Sequence, residues 1–134
     1  MAFNREIASI TIFCEASGEA QETREAVAQT LFNRLKDGRF GKTIAEICLR
    51  RMQFSEWNGD KIDNANLMRA ARAGDMDAVM LECGAAYDSA SGGAFDATDG
   101  ATHYYDISIA PPAWTSGATR TAQLGRLVFY INVK

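Results

Sequence analysis

Helical periodicity runs through this 134-residue chain as far as Ala94 and then stops. A chain that supplies helices first and strands last predicts an α+β architecture, mainly α, with a small antiparallel β-hairpin set against the helices. The first segment spans Asn4 to about Gly18, with Asn4 as N-cap and Glu6 in the first turn. Its stripe is Ile7, Ile10, Cys14 and Ser17. Ile12 and Phe13 lie off that stripe, so the helix is expected to be buried on more than one side. The β-branched run Ile10-Thr11-Ile12 leaves a strand open as the second reading. A second helix starts near Glu22 or Thr23, carries Val27, Leu31 and Leu35 on one face, and ends at Asp37-Gly38.

Thr43-Ile44-Ala45-Glu46 forms a capping-box pattern and opens a short third helix through about Arg51. Residues 52–59 read as a polar and aromatic loop. Asp63 caps a helix over 64–73 that Gly74 closes, and Asp75 caps another from Met76 to about Ala90. Beyond Ala94, Thr102-His103-Tyr104-Tyr105-Asp106 and the stretch from Gln123 to Val133 have strand composition, and Pro111-Pro112 forces an extended loop between them.

Composition narrows the function. With 47% hydrophobic and 23% charged residues the chain is globular, and residues 1–134 are expected to form a single catalytic domain. A chain of this size buries about two-thirds of its unfolded surface, enough to need no disulfide or metal staple. The net charge of −3 argues against a nucleic-acid partner. There is one histidine, His103, so a His-rich zinc site is excluded, and no metal or other cofactor is expected. Cys14, Cys48 and Cys83 fit no C-x-x-C pattern and read as small core hydrophobes in a reduced compartment. No apolar run is long enough for membrane insertion, and no targeting segment is visible, so synthesis in the cytoplasm without a signal peptide is expected.

Two stretches could carry chemistry. Glu15 sits at the end of an apolar helix just before a glycine, where Ile12, Phe13 and Cys14 would desolvate it, a setting that suits a general acid. It also reads as an ordinary helix-end glutamate. The second group is Gln53, Phe54, Ser55 and Trp57 together with Thr102, His103, Tyr104, Tyr105 and Trp114. Rings with polar handles beside amides and hydroxyls suit sugars, which present apolar faces and a rim of hydroxyls. The same residues could equally pack a hairpin onto a small core.

Glu15-Ala16-Ser17-Gly18-Glu19, followed by Val27-Ala28 and Asn33-Arg34, resembles the opening of the SleB-like cell wall hydrolases, the spore-cortex-lytic enzyme family. Further matches follow in order: Phe40 with Thr43-Ile44; Gln53-Phe54-Ser55; Gly100 to Tyr105; Pro112 with Trp114; and Gly125 with Phe129-Tyr130. Three positions depart from the pattern: Cys14 stands in place of a glycine, Ser17 in place of an arginine, and the stretch Gly125 to Phe129 lacks a histidine. The resemblance implies a lysozyme-like fold, helices around a substrate cleft, and cleavage of peptidoglycan glycan strands between MurNAc and GlcNAc as a lytic transglycosylase. The catalytic acid falls on Glu15. Gln53, Ser55 and Tyr104 would orient the substrate's acetamido groups and Glu15, and His103 would hydrogen-bond a sugar.

One carboxyl group suffices for a transglycosylase, because the C6 hydroxyl of the sugar replaces water as nucleophile. Hydrolysis would call for a second carboxylate, for which Glu19 and Glu22 are candidates, with Glu56, Asp99 and Asp106 behind them. For Glu19 a structural role is favoured. Two readings of other classes stand beside this one. In the first, a peptidoglycan peptidase uses Cys14 and His103. Cys14 and Glu15 point about 100° apart on a helix, so only one can face the reaction, and the stripe places Cys14 inward. In the second, the chain is a non-catalytic virion or glycan-binding component. The compact chain suggests a phage lysin or virion-associated enzyme that reaches the wall through a holin or with phage tail or virion partners, and a monomer if it is a free lysin.

Overall fold

The computed structural model describes residues 2–50, 73–74 and 77–134. The expected loop over 52–59, most of the helix after Asp63, and the Asp75 cap lie outside the described residues. Among the described residues, the elements in order are helices α1 (Ala2–Ala16), α2 (Gln21–Asp37), α3 (Ile44–Leu49) and α4 (Ala78–Ser91), then β1 (His103–Asp106), a 3-10 turn at Ala113–Thr115, β2 (Thr119–Leu124) and β3 (Leu127–Ile131). Among the described residues no helix is long and apolar enough to cross a membrane.

The β-branched run of α1 is helical. Thr11 is fully buried, and its hydroxyl donates to the Ile7 carbonyl at 2.8 Å, while Ser9 does the same to Arg5 at 2.7 Å. These back-bonds let polar side chains sit inside a helical core. Ile12, Phe13 and Ala16 meet Ala26, Val27 and Ala28 of α2 and Met80, Cys83, Ala86 and Ala90 of α4 in the main core. The small residues of α4 permit this close approach. A second cluster joins Ala8 and Leu31 to Phe40, Ile44, Ile47 and Cys48.

Two caps differ from expectation. The helix begins at Ala2, so Asn4 lies inside it, and its side-chain oxygen accepts from the Ala45 amide at 3.0 Å, tying α1 to α3. No acidic residue falls in the first turn, so Glu6 has no capping role. The cap of α4 is Asp77, which accepts from the Val79 and Met80 amides at 2.9 and 3.1 Å, and the helix starts at Ala78 rather than Met76. The Gly38 stop and the Thr43 capping box hold, while α2 starts a residue early, at Gln21, and α3 ends at Leu49. Gly38 ends α2 with φ of 88° and donates to the Arg34 carbonyl, and Thr43 and Glu46 form both halves of the capping box.

The sheet has three antiparallel strands in the order β1-β3-β2, one more than the expected pair. The additional strand, Thr119–Leu124, is largely polar and carries a register irregularity between Arg120 and Ala122, so its sequence shows little alternation. Gly125, with φ of 55°, makes the turn into β3. Leu127 and Phe129 of β3 complete the main helical core.

Candidate active site

Glu15 occupies the last turn of α1 and is half-buried. The Tyr104 hydroxyl, from β1, donates to Glu15 Oε1 at 2.5 Å across 89 positions of sequence. The Tyr104 ring is held beside Phe129, with centroids 5.5 Å apart. Behind this pair lies Arg34 of α2, only 4% exposed. Burial works against the charge on its guanidinium, and the neighbouring Tyr104 and Glu15 work in its favour. Its Nε donates to the Thr102 carbonyl at 2.6 Å, and the guanidinium lies 4.9 Å from the Phe40 ring centre.

The residue before it, Asn33, donates to Asp96 Oδ2 and to the Ala101 carbonyl, each at 2.9 Å. Burial raises the Asp96 pKa, but bonds from Thr98, Asn33 and Gly100 outweigh it and hold the carboxyl below its usual range. Adjacent residues of α2 therefore fasten the segment that leads into β1, and with it the position of Tyr104.

Strand alternation divides the expected sugar-binding residues. Pairing sets Tyr104 opposite Phe129 and His103 opposite Tyr130. Tyr104 thus faces the helices and Glu15, while His103 and Tyr105 face the other way. There they meet Trp114, which the 3-10 turn after Pro112 delivers: His103 and Trp114 centroids are 5.2 Å apart, and Tyr105 and Trp114 6.2 Å. Tyr130 joins them, 6.0 Å from Tyr105 and 5.4 Å from Trp114. His103 Nδ1 lies 2.8 Å from the Thr102 hydroxyl. Burial, then Arg34 and Arg39, push the His103 pKa down to about 4, so the ring is neutral at neutral pH. Gln53, Ser55, Trp57 and Glu56 lie outside the described residues.

The remaining carboxylates have defined neighbours. Glu19 accepts from the Arg126 amide at 3.2 Å, in the turn between β2 and β3. Gly125 has a left-handed φ, which favours glycine there, and a Cβ at that position would come within 2.8 Å of Glu19 Oε2, the movable end of a side chain. Glu22 is exposed in the first turn of α2. Asp106 accepts from the Ser108 amide at 2.8 Å and pairs with Arg126, which lower its pKa, and Asp99 is exposed with φ of 54°. Cys14 packs beside Ile10 against the main core, Cys48 and Cys83 are buried, and burial pushes the Cys83 thiol up to about 11. Among the described residues no group of three or more His, Cys, Asp or Glu could hold a metal.

In the sequence, Arg34 and Phe40 stand only as motif positions, without a role; Arg34 is buried near Glu15, and the Phe40 ring centre lies 5.4 Å from that of His103.

The chain resembles two solved catalytic domains. One is that of the Bacillus cereus SleB protein, at 17% identity and a TM-score of 0.77, covering 98% of this chain and 91% of that one. The other is that of the germination-specific lytic transglycosylase SleB from Bacillus anthracis, at 17% identity and a TM-score of 0.74, covering 96% and 93%. The mainly helical, lysozyme-like architecture is therefore shared. No curated protein sequence matches it. The model of the Cell Wall Hydrolase family matches residues 18–130, beginning just after Glu15 and spanning Asn33, Arg34 and Tyr104, and by that match the chain belongs to the cell wall hydrolases.

Proposed function

We propose that this chain cleaves the glycan strand of peptidoglycan as a lytic transglycosylase, with Glu15 acting first as acid and then as base. The observation that carries the reading is the Tyr104 hydroxyl on Glu15 Oε1. A donor aimed at one carboxyl oxygen stabilises the carboxylate that remains once the proton has been given up. Glu15 donates its proton to the glycosidic oxygen and the bond from MurNAc C1 to that oxygen breaks. The C6 hydroxyl of the same MurNAc attacks C1, and its proton passes to the Glu15 carboxylate. The products are a chain with a free 4-hydroxyl and a 1,6-anhydro end, and the enzyme returns to its starting protonation state.

The similarity to a lytic transglycosylase domain agrees with this chemistry. The rings of His103, Tyr105 and Trp114, joined by Tyr130, would carry a sugar beside β1, the edge strand nearest Glu15, with Thr102 at its rim. Gln53, Ser55 and Trp57 would add to that binding surface. Glu19 is read as the residue that holds the β2–β3 turn rather than as a second carboxylate, and Glu22, exposed in the first turn of α2, is not read as one either. Cys14, packed against the core, leaves Glu15 as the reacting group. Residues 1–134 would work as a single catalytic domain, in a phage lysin or virion-associated enzyme reaching the wall through a holin or a virion.

Digestion of purified peptidoglycan followed by mass spectrometry tests the reading. Anhydro-muramyl ends are expected, and their loss in Glu15→Gln. Reducing ends would mean hydrolysis, and cut stem peptides would overturn the assignment to glycan cleavage.

A further inference from the structure

Arg24 of α2 is 6% exposed, and its guanidinium makes four hydrogen bonds. Nε donates to the Ala16 carbonyl at 3.2 Å and Nη2 to the Ser17 carbonyl at 2.7 Å. Nη1 reaches Gln21 Oε1 at 3.1 Å and also the Glu82 carboxylate of α4. Gln21 in turn donates to the Glu82 carbonyl at 2.7 Å. The two carbonyls that Arg24 holds belong to the residues directly after Glu15. They lie at the C-terminal end of α1, where carbonyls lack helical partners and a cation is favoured. No basic residue stands in the last turn of α1 itself.

We propose that Arg24 is a positioning residue, which fixes the end of α1 so that the Glu15 carboxyl meets the Tyr104 hydroxyl. The proposal rests on the reading of Glu15 given above. Glu15 and Tyr104 come from elements far apart in sequence, and their meeting depends on where α1 ends. Only a planar fork with several fixed donors can hold two consecutive carbonyls and a carboxylate of a third helix together. A group misplaced by 1 Å from its reacting partner can lose about 100-fold in rate.

The test compares kcat and KM for release of fragments from purified peptidoglycan in the parent, Arg24→Met, Arg24→Lys and Glu15→Gln. It is run where circular dichroism shows each variant folded. Arg24→Met is expected to lower kcat at least about 10-fold with KM within about 2-fold, and Arg24→Lys to recover part of the loss. In a Tyr104→Phe background the loss from Arg24→Met should shrink, because the pair that Arg24 serves is already broken. A folded Arg24→Met enzyme with parental kcat, or the same loss in both backgrounds, overturns the proposal. If Arg24→Met does not fold, Arg24→Lys decides alone: kcat at least about 3-fold below the parent supports positioning, and parental kcat overturns it. Activity retained in Glu15→Gln would sink the underlying reading instead. An inactive Glu15→Gln beside a normal Arg24→Met sinks only the positioning role.

Discussion

Replacing Tyr104 with phenylalanine removes a single oxygen and leaves the ring in place against Phe129. The bond lost is the 2.5 Å contact to Glu15 Oε1, between a phenol and a carboxyl group that are both partly buried. A hydrogen bond to a charged group contributes about 1.5–3 kcal/mol net. If that bond strengthens as Glu15 becomes a carboxylate, most of its value enters the barrier, and kcat falls about 10- to 100-fold. The bond is not made to substrate, so KM should stay within about 2-fold. Stability should change little, because half-buried Glu15 regains water, and a loss below about 1 kcal/mol is expected. Initial rates of fragment release from purified peptidoglycan, with thermal unfolding in parallel, give all three quantities. A Tyr104→Phe enzyme with unchanged kcat and raised KM would show that Tyr104 grips the sugar and does not serve Glu15, and would refute the reasoning.

Gly125→Ala should destabilise the protein by about 1–2 kcal/mol, from its left-handed φ; an unchanged urea midpoint would contradict the turn described here. His103 binds its proton in the fold only near pH 4 but in the unfolded chain near 6.5, so the unfolded state takes up more protons between those values and stability must fall as pH drops through that window. The ring is only half-buried, which trims the effect to about 1–2 kcal/mol, and thermal melts at pH 4.5 and 7 should differ more for the parent than for His103→Gln.

The helices were readable in the sequence because their signals are local. Gly38 follows the last turn of α2, and Thr43 with Glu46 satisfy each other within four residues. Local signals failed where a distant partner took the residue. Asn4 has the side chain of an N-cap, yet it caps α3 by accepting from Ala45, so the helix runs on to Ala2. The sequence offers Asp75 as the cap of α4, but the carboxylate that accepts from the Val79 and Met80 amides belongs to Asp77. Strand β2 escaped notice for another reason. It lies at the sheet edge opposite β1 with its residues exposed or half-buried, so no apolar alternation marks it.

The site divides along the same line. Glu15 was recognisable from its place at a helix end and its motif, and the rings of β1 from their composition. What no local signal contains is which ring serves the carboxylate. The pleat decides that: Tyr104 and Tyr105 are neighbours in sequence, but pairing of His103 with Tyr130 turns Tyr104 toward Glu15 and Tyr105 toward Trp114. A shift of one residue in the β1–β3 register would exchange their roles. Register is held from outside the sheet, because Asn33 and Arg34 bond the carbonyls of Ala101 and Thr102 just before the strand begins. The Asn33-Arg34 pair, visible in the sequence only as a motif match, therefore fixes which tyrosine meets the Glu15 carboxyl.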